Sequence, residues 1–174
     1  MHPIDGRYKV EDVASYLSDQ ALLHYILRIE LAHVQAMERR GICPPGTYAT
    51  ISERANQITA EMWEEKQQDP KYKHNIRALR ALVNESILPK LRGFFHLGYT
   101  SYDAVDNGYT ASAKDLTYNI VLPDMVEFER TLFNTATRYR STIQIGRSHG
   151  QHGEPTTFGR EMAVYVDRWG DGIE

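Results

Sequence analysis

Between Ile145 and Gly159 the run IGRSHGQHGEPTTFG holds two histidines, an arginine, a carboxylate, three hydroxyls and four glycines. Glycine packs nothing and loses the most backbone entropy on folding, so a stretch this rich in it between two helical segments shapes a site rather than fills a core. His149, between Ser148 and Gly150, is expected on an exposed, tightly turned backbone. Imidazole titrates near neutrality and can pass a proton in either direction, which makes His149 a candidate general acid or base. A second patch, HLGYTSYD from His96 to Asp103, places hydroxyls and free amides at a helix start. Dipole and donors point the same way there, which suits a carboxylate or phosphate; alternatively Thr100, Ser101 and Asp103 only cap the helix. A third, Gly6-Arg7-Tyr8, offers a planar fork of donors and one hydroxyl, or is an ordinary solvated terminus. His149, His152 and Glu154 could in principle hold a metal, but there is no cysteine beside them and no His-Glu-x-x-His helix. No Gly-Lys-Ser/Thr follows the glycines, so a phosphate loop of that kind is excluded.

The elements that must position these residues read as helices. Ser18 or Asp19 caps a long one with apolar rows Leu22, Ile26, Ile29 and Leu23, Leu27, Leu31, Val34, ending at Gly41. A capping box from Thr50 to Glu53 predicts a second helix through about Lys66. A third runs from about Tyr72 to Leu88, with Ile76, Leu79, Val83 and Ile87 on one face. After Thr100–Asp103 a helix is expected to bury Val105, Tyr109, Ser112 and Leu116, with Pro123 interrupting or restarting it before about Arg140. Thr142–Ile145 is the one strand-like piece, and a last helix starts near Thr156 or Thr157 and carries Met162, Val166 and Trp169. The opening nine residues read as polar coil. Nothing obvious covers Val164, Val166 and Trp169, so the chain reads as part of something larger or as an obligate oligomer; a complete four- or five-helix bundle is the alternative.

Composition excludes several classes. With 41% hydrophobic and 25% charged residues the chain is globular, and a formal net charge of -3 gives no general attraction to nucleic acid or anionic membrane. No apolar run approaches the roughly 18 residues of a membrane span, and the start lacks a secretory pattern, so a cytoplasmic location is expected. Cys43 stands alone, which precludes a disulfide within the chain.

Three motifs, in order, then carry a resemblance. GRSHGQHGEPTTFG resembles the glycine-rich histidine motif of the adenylosuccinate lyase family, within the fumarase/aspartase superfamily; HLGYTSYDAVDNG resembles that family's helix-start motif, and IDGRY its N-terminal nucleotide-binding piece. A fumarase- or aspartase-like chain has Leu-Gln where Gly150-Gln151 stand, and an argininosuccinate lyase-like chain has an Arg-Asn-Asp run near Thr100–Asp103 that is absent here.

The resemblance implies an all-α fold, with residues 1–98 as an N-terminal helical domain and 99–174 as the first part of a long central helical bundle. It implies an anti elimination that splits a carbon–nitrogen bond and releases fumarate from adenylosuccinate, and from a succinyl-carboxamide ribotide of purine biosynthesis. The implied partners are a small-molecule nucleotide substrate and three further copies in a homotetramer when full length, with no cofactor, metal, nucleic acid or membrane. His149 matches the general acid, and Ser148 replaces a threonine while keeping its hydroxyl. Thr100 and Ser101 match the residues that hold a succinyl carboxylate, and Asp103 fixes their turn. His96 matches a pocket histidine, and His74 a catalytic-site histidine near the phosphate and the acid. Arg7 and Tyr8 match phosphate- and ribose-side contacts, while Gln151 and His152 line the glycine-rich loop. The family's general base is a serine in a Ser-Ser-x-x-Met-Pro-x-Lys-x-Asn signature, and nothing like it occurs here. The expectation is therefore an N-terminal portion that is inactive alone. The alternatives are another fumarate-releasing lyase of the superfamily and a non-catalytic helical assembly fragment.

Overall fold

The computed structural model describes residues 10–173, so Arg7 and Tyr8 lie outside the described residues. The chain divides into two compact units, one reaching to Leu116 and the other beginning at Thr117. Among the described residues it is all-α apart from one two-stranded hairpin.

The first unit is built on α2, Asp19–Arg39, preceded by the short helix α1, Glu11–Leu17. Ser18 ends α1 and caps α2, its Oγ accepting from the Ala21 amide at 3.2 Å. The buried stripe of α2 is Leu23, Ile26, Leu27, Glu30, Val34 and Met37, spaced three and four apart with one carboxylate among the apolar groups. Helices α3 (Thr47–Ala55), α4 (Ala60–Gln68) and α5 (Asn75–Glu85) complete the core with Ile51, Ala55, Trp63, Ile76, Leu79 and Val83. A 3-10 turn at Pro89–Leu91 leads to Phe95, which is wholly buried. Burying a phenylalanine contributes about 1.5–3 kcal/mol, which anchors the loop that follows.

α6, Ser101–Leu116, lies along α2 through Ala104, Gly108 and Ser112, all buried and four residues apart. This small-residue ridge lets the two backbones approach: a Cβ on Gly108 would stand 3.1 Å from Ile26 Cγ1. Ser112 Oγ donates to the Tyr16 carbonyl at 2.6 Å, tying α6 to α1 as well. By packing, α6 thus goes with the first unit.

Several boundaries differ from expectation. α3 starts at Thr47 after Gly46, whose φ is +86°, rather than at the Thr50 box. The helix expected to reach Lys66 is two helices, because residues 56–58 turn to bury Ile58 and Thr59 Oγ1 caps α4 by accepting from the Met62 amide. The Tyr72 amide closes a turn onto Asp69, which delays α5 to Asn75. Tyr109, expected in the core, is 56% exposed, since the small residues make the α2 contact.

Glu38 holds the start of α3. Its carboxylate accepts from the Tyr48 amide at 2.6 Å and the Gly46 amide at 3.0 Å, and these bonds hold the carboxyl below its ordinary value of 4.5. A depressed folded-state value means the contribution is complete above the unfolded value and is lost as pH falls through the folded one. We expect the wild-type chain to lose more stability than Glu38→Gln between about pH 6 and about pH 3, read as the shift in urea midpoint at each pH.

The second unit opens with one π-helical turn, Thr117–Val121, followed by α7, Leu122–Arg138. Pro123 sits in the first turn of α7, where its missing N–H costs no helical bond. Strands β1, Ile143–Ser148, and β2, Gln151–Thr157, form an antiparallel hairpin, and α8, Phe158–Gly170, returns alongside α7. Thr157 Oγ1 caps α8 by accepting from the Arg160 amide at 3.1 Å. Trp169 Nε1 donates to the Met125 carbonyl at 2.9 Å, and its ring meets Phe128 edge-on. At the other end Gly159 abuts the last turn of α7 and is the single buried residue described in this unit.

Candidate active site

The glycine-rich segment forms the hairpin. Ile143 pairs with Thr157, Ile145 with Pro155, Arg147 with His152 and Ser148 with Gln151. Between the inner and outer pairs, two residues of β2, Gly153 and Glu154, face the single residue Gly146, a bulge that increases the local twist. A side chain at Gly146 would fall 2.7 Å from the Glu154 carbonyl, so glycine is what permits the bulge. The two-residue tip is His149-Gly150, with φ of +54° and +73°. Positive φ at both central residues is the signature of a type I′ turn, whose twist matches that of paired strands. Gly150 accepts that conformation freely, while His149 bears a cost of about 1 kcal/mol or more. Its ring is exposed and makes no hydrogen bond to any described residue. Ser148 and Gln151, the pair closing the turn, flank it on both sides. His152 and Glu154 do not gather with His149 into a metal-ligand set among the described residues.

The second patch lies in the first unit, between Phe95 and α6. His96 has φ of +59° and Gly98 of +85°, so the chain doubles back sharply before the helix. Two residues one turn apart on α2 clamp this loop. Glu30, wholly buried, accepts from His96 Nδ1 at 2.7 Å through one oxygen and from the Tyr99 hydroxyl at 2.5 Å through the other. His33 Nε2 donates to the Leu97 carbonyl at 2.8 Å, and its ring meets Tyr99 edge-on at 4.5 Å. Burial, and then the hydrogen bond to Glu30, push the Tyr99 phenol far above its ordinary value, so it stays a donor.

The clamped loop delivers Thr100 and Ser101 to the start of α6. The Thr100 amide donates to the Asp103 carboxylate at 2.7 Å. Asp103 therefore makes the capping contact. The hydroxyls of Thr100 and Ser101 form no hydrogen bond to any described residue, which leaves both for a ligand. With the positive end of the α6 dipole they suit a carboxylate. His74 occupies the N-cap position of α5, exposed and without a side-chain bond to the helix.

The structure thus brings His96, Thr100 and Ser101 together on one loop, and Ser148, His149 and Gln151 together on one hairpin tip. Sequence reading missed Glu30, His33 and Tyr99. The available signal was Glu30 itself, a charged residue at helical spacing from Ile26, Leu27 and Val34 in an otherwise apolar row.

The family model described as lyase matches residues 7–174. The chain belongs to that family, within the fumarase/aspartase superfamily. It is similar to the adenylosuccinate lyase of Pyrococcus horikoshii, 32% identical over 96% of this chain and 37% of that protein. It is also similar to the N-acetyl-S-(2-succino)cysteine lyase of Enterococcus italicus, 31% identical over 97% of this chain and 37% of that protein. Among solved structures, the 3-carboxy-cis,cis-muconate lactonizing enzyme from Pseudomonas putida matches with a TM-score of 0.83 over 98% of this chain and 39% of that one, at 22% identity. That likeness speaks for the fold alone. The chain spans 37% of the length of the curated relatives it matches.

Proposed function

We propose that this chain is part of an enzyme that eliminates fumarate from adenylosuccinate, giving AMP, and from the succinyl-carboxamide ribotide of purine biosynthesis. In the reaction a C–H bond and the adjacent C–N bond of the succinyl group break and a C=C bond forms. The carbon-bound proton goes to a base, and the departing nitrogen takes one from an acid. His149 is that acid. Thr100 and Ser101 hold a succinyl carboxylate and stabilise the charge that builds beside it as the proton leaves. Ser148 and Gln151 bind substrate next to the acid, His96 lines the pocket, and His74 serves as a further catalytic histidine. Arg7 and Tyr8 serve the phosphate and ribose.

The observation that carries this reading is the backbone. The two non-glycine residues with positive φ among those described are His96 and His149, one in each of these two motifs. Strained backbone concentrates where function requires it. On this reading residues 1–98 are the N-terminal domain and 99–174 begin the central bundle of a cytoplasmic homotetramer that needs no cofactor. The exposed Val126, Phe133 and Val164 of α7 and α8 are then covered by other copies. The 174-residue chain alone, lacking the serine-loop signature, releases no fumarate.

A second reading is favoured by the Enterococcus italicus relative, whose name specifies a succinylated thiol instead of a succinylated amine. Comparing kcat/KM of the full natural polypeptide for adenylosuccinate, argininosuccinate, aspartate and N-acetyl-S-(2-succino)cysteine separates the two. We expect adenylosuccinate to be preferred by about 100-fold or more, because the groups proposed to hold the phosphate and ribose go unpaired with the others. Preference for the thioether would replace the first reading by the second.

A further inference from the structure

We propose that Glu30 is a positioning residue, which fixes the proton of His96 on Nδ1 and so presents Nε2 alone to a ligand. The inference rests on the reading above only in taking that ligand to be the substrate. An ionised carboxylate is purely an acceptor, so the 2.7 Å contact requires the hydrogen to be on Nδ1. The other ring nitrogen makes no bond to any described residue. The neutral ring therefore offers Nε2 as an acceptor, suited to an amino or hydroxyl donor of a nucleotide.

The cost of the arrangement argues that it does more than pack. Glu30 is wholly buried and His96 is 13% exposed at its side chain. A buried carboxylate is expensive unless each oxygen is satisfied, and an apolar residue at this point of the α2 stripe would be cheaper. His96 bears a positive φ in addition. The second oxygen of Glu30 is held by Tyr99, and His33 fixes Leu97 independently, so the loop has a clamp besides the Glu30–His96 bond. That division separates holding the loop from setting the tautomer.

Glu30→Gln tests the proposal, because its shape is the same but its amide can donate to Nδ1. In the full natural polypeptide, 15N NMR of His96 is expected to show hydrogen on Nδ1 in the wild type and a substantial Nε2–H tautomer in Glu30→Gln. Tyr99→Phe leaves the Nδ1 contact in place and should retain the wild-type tautomer, which guards against a general loosening of the loop. With adenylosuccinate as probe, Glu30→Gln should lower kcat/KM roughly 10- to 100-fold. In a His96→Ala background the same substitution should change it less than about 2-fold, because a positioning residue acts only through its target. A wild-type ring with hydrogen on Nε2, or losses from Glu30→Gln and His96→Ala that multiply independently, would overturn the proposal. If the wild type fails to cleave adenylosuccinate, the substrate reading falls while the tautomer measurement still decides the role of Glu30.

Discussion

Replacing His149 with alanine is expected to lower kcat for adenylosuccinate by about 10²- to 10⁴-fold in the full natural polypeptide, the range by which a positioned proton donor accelerates a reaction. The fold should survive. The ring makes no hydrogen bond to a described residue and is exposed, so little packing is lost with it. The φ of +54° remains a cost for alanine, which makes His149→Asn a useful companion, since asparagine tolerates that region better. Both variants should bind substrate nearly as well as the wild type and lose turnover together. Because the missing group is proposed to protonate the leaving nitrogen, the loss belongs in kcat with KM little changed. Full activity in His149→Ala would remove the hairpin tip from the chemistry.

The largest expected effect on stability comes from Gly159→Ala. A Cβ at Gly159 would lie 2.5 Å from the Ala136 carbonyl oxygen, 2.5 Å from Arg140 Cα and 2.6 Å from the Arg140 nitrogen. All three are backbone atoms at the end of α7, so no side chain can swing aside. The Gly159 amide also donates to the Tyr139 carbonyl at 3.0 Å, and the Phe158 amide to that of Thr142 at 2.9 Å, which pins the start of α8 against this corner. One added methyl group must therefore push α8 away or break those bonds. Overpacking of this kind costs about 3 kcal/mol, and more where backbone must move. Chemical unfolding of Gly159→Ala beside the wild type measures it, and a loss below about 1 kcal/mol would mean that α8 does not sit this close to α7.

The sequence made much of this arrangement readable, and the reasons vary by residue. α2 declared itself because its apolar rows repeat at helical spacing behind a serine that does cap it. Asp103 could be assigned to the turn because a carboxylate three residues after a helix start has an amide within reach. The His149-Gly150 turn followed from the glycine-rich run in which His149 stands between Ser148 and Gly150. α1 was passed over because it is only seven residues long and buries none of them, although Val10, Val13, Ala14 and Leu17 do repeat at helical spacing. β2 escaped notice because Gln151–Thr157, with Gly153 and Pro155 inside it, has neither alternation nor β-branched residues until its end. The break after Ala55 was hidden because its cause is the burial of Ile58, a tertiary contact. Glu30 was lost inside a helix correctly recognised: its significance depends on a loop 66 residues away, which no local pattern encodes. Gly159 likewise reads as a weak helical residue until the end of α7 is seen against it.

The proposed reaction removes a succinyl group from a purine nucleotide. The full natural polypeptide should be incubated with adenylosuccinate while AMP and fumarate are quantified together over time. The two products should rise at equal rates from the first points, with no added metal or cofactor. Substrate that persists unchanged with folded protein present, or AMP formed without an equal amount of fumarate, would contradict the account.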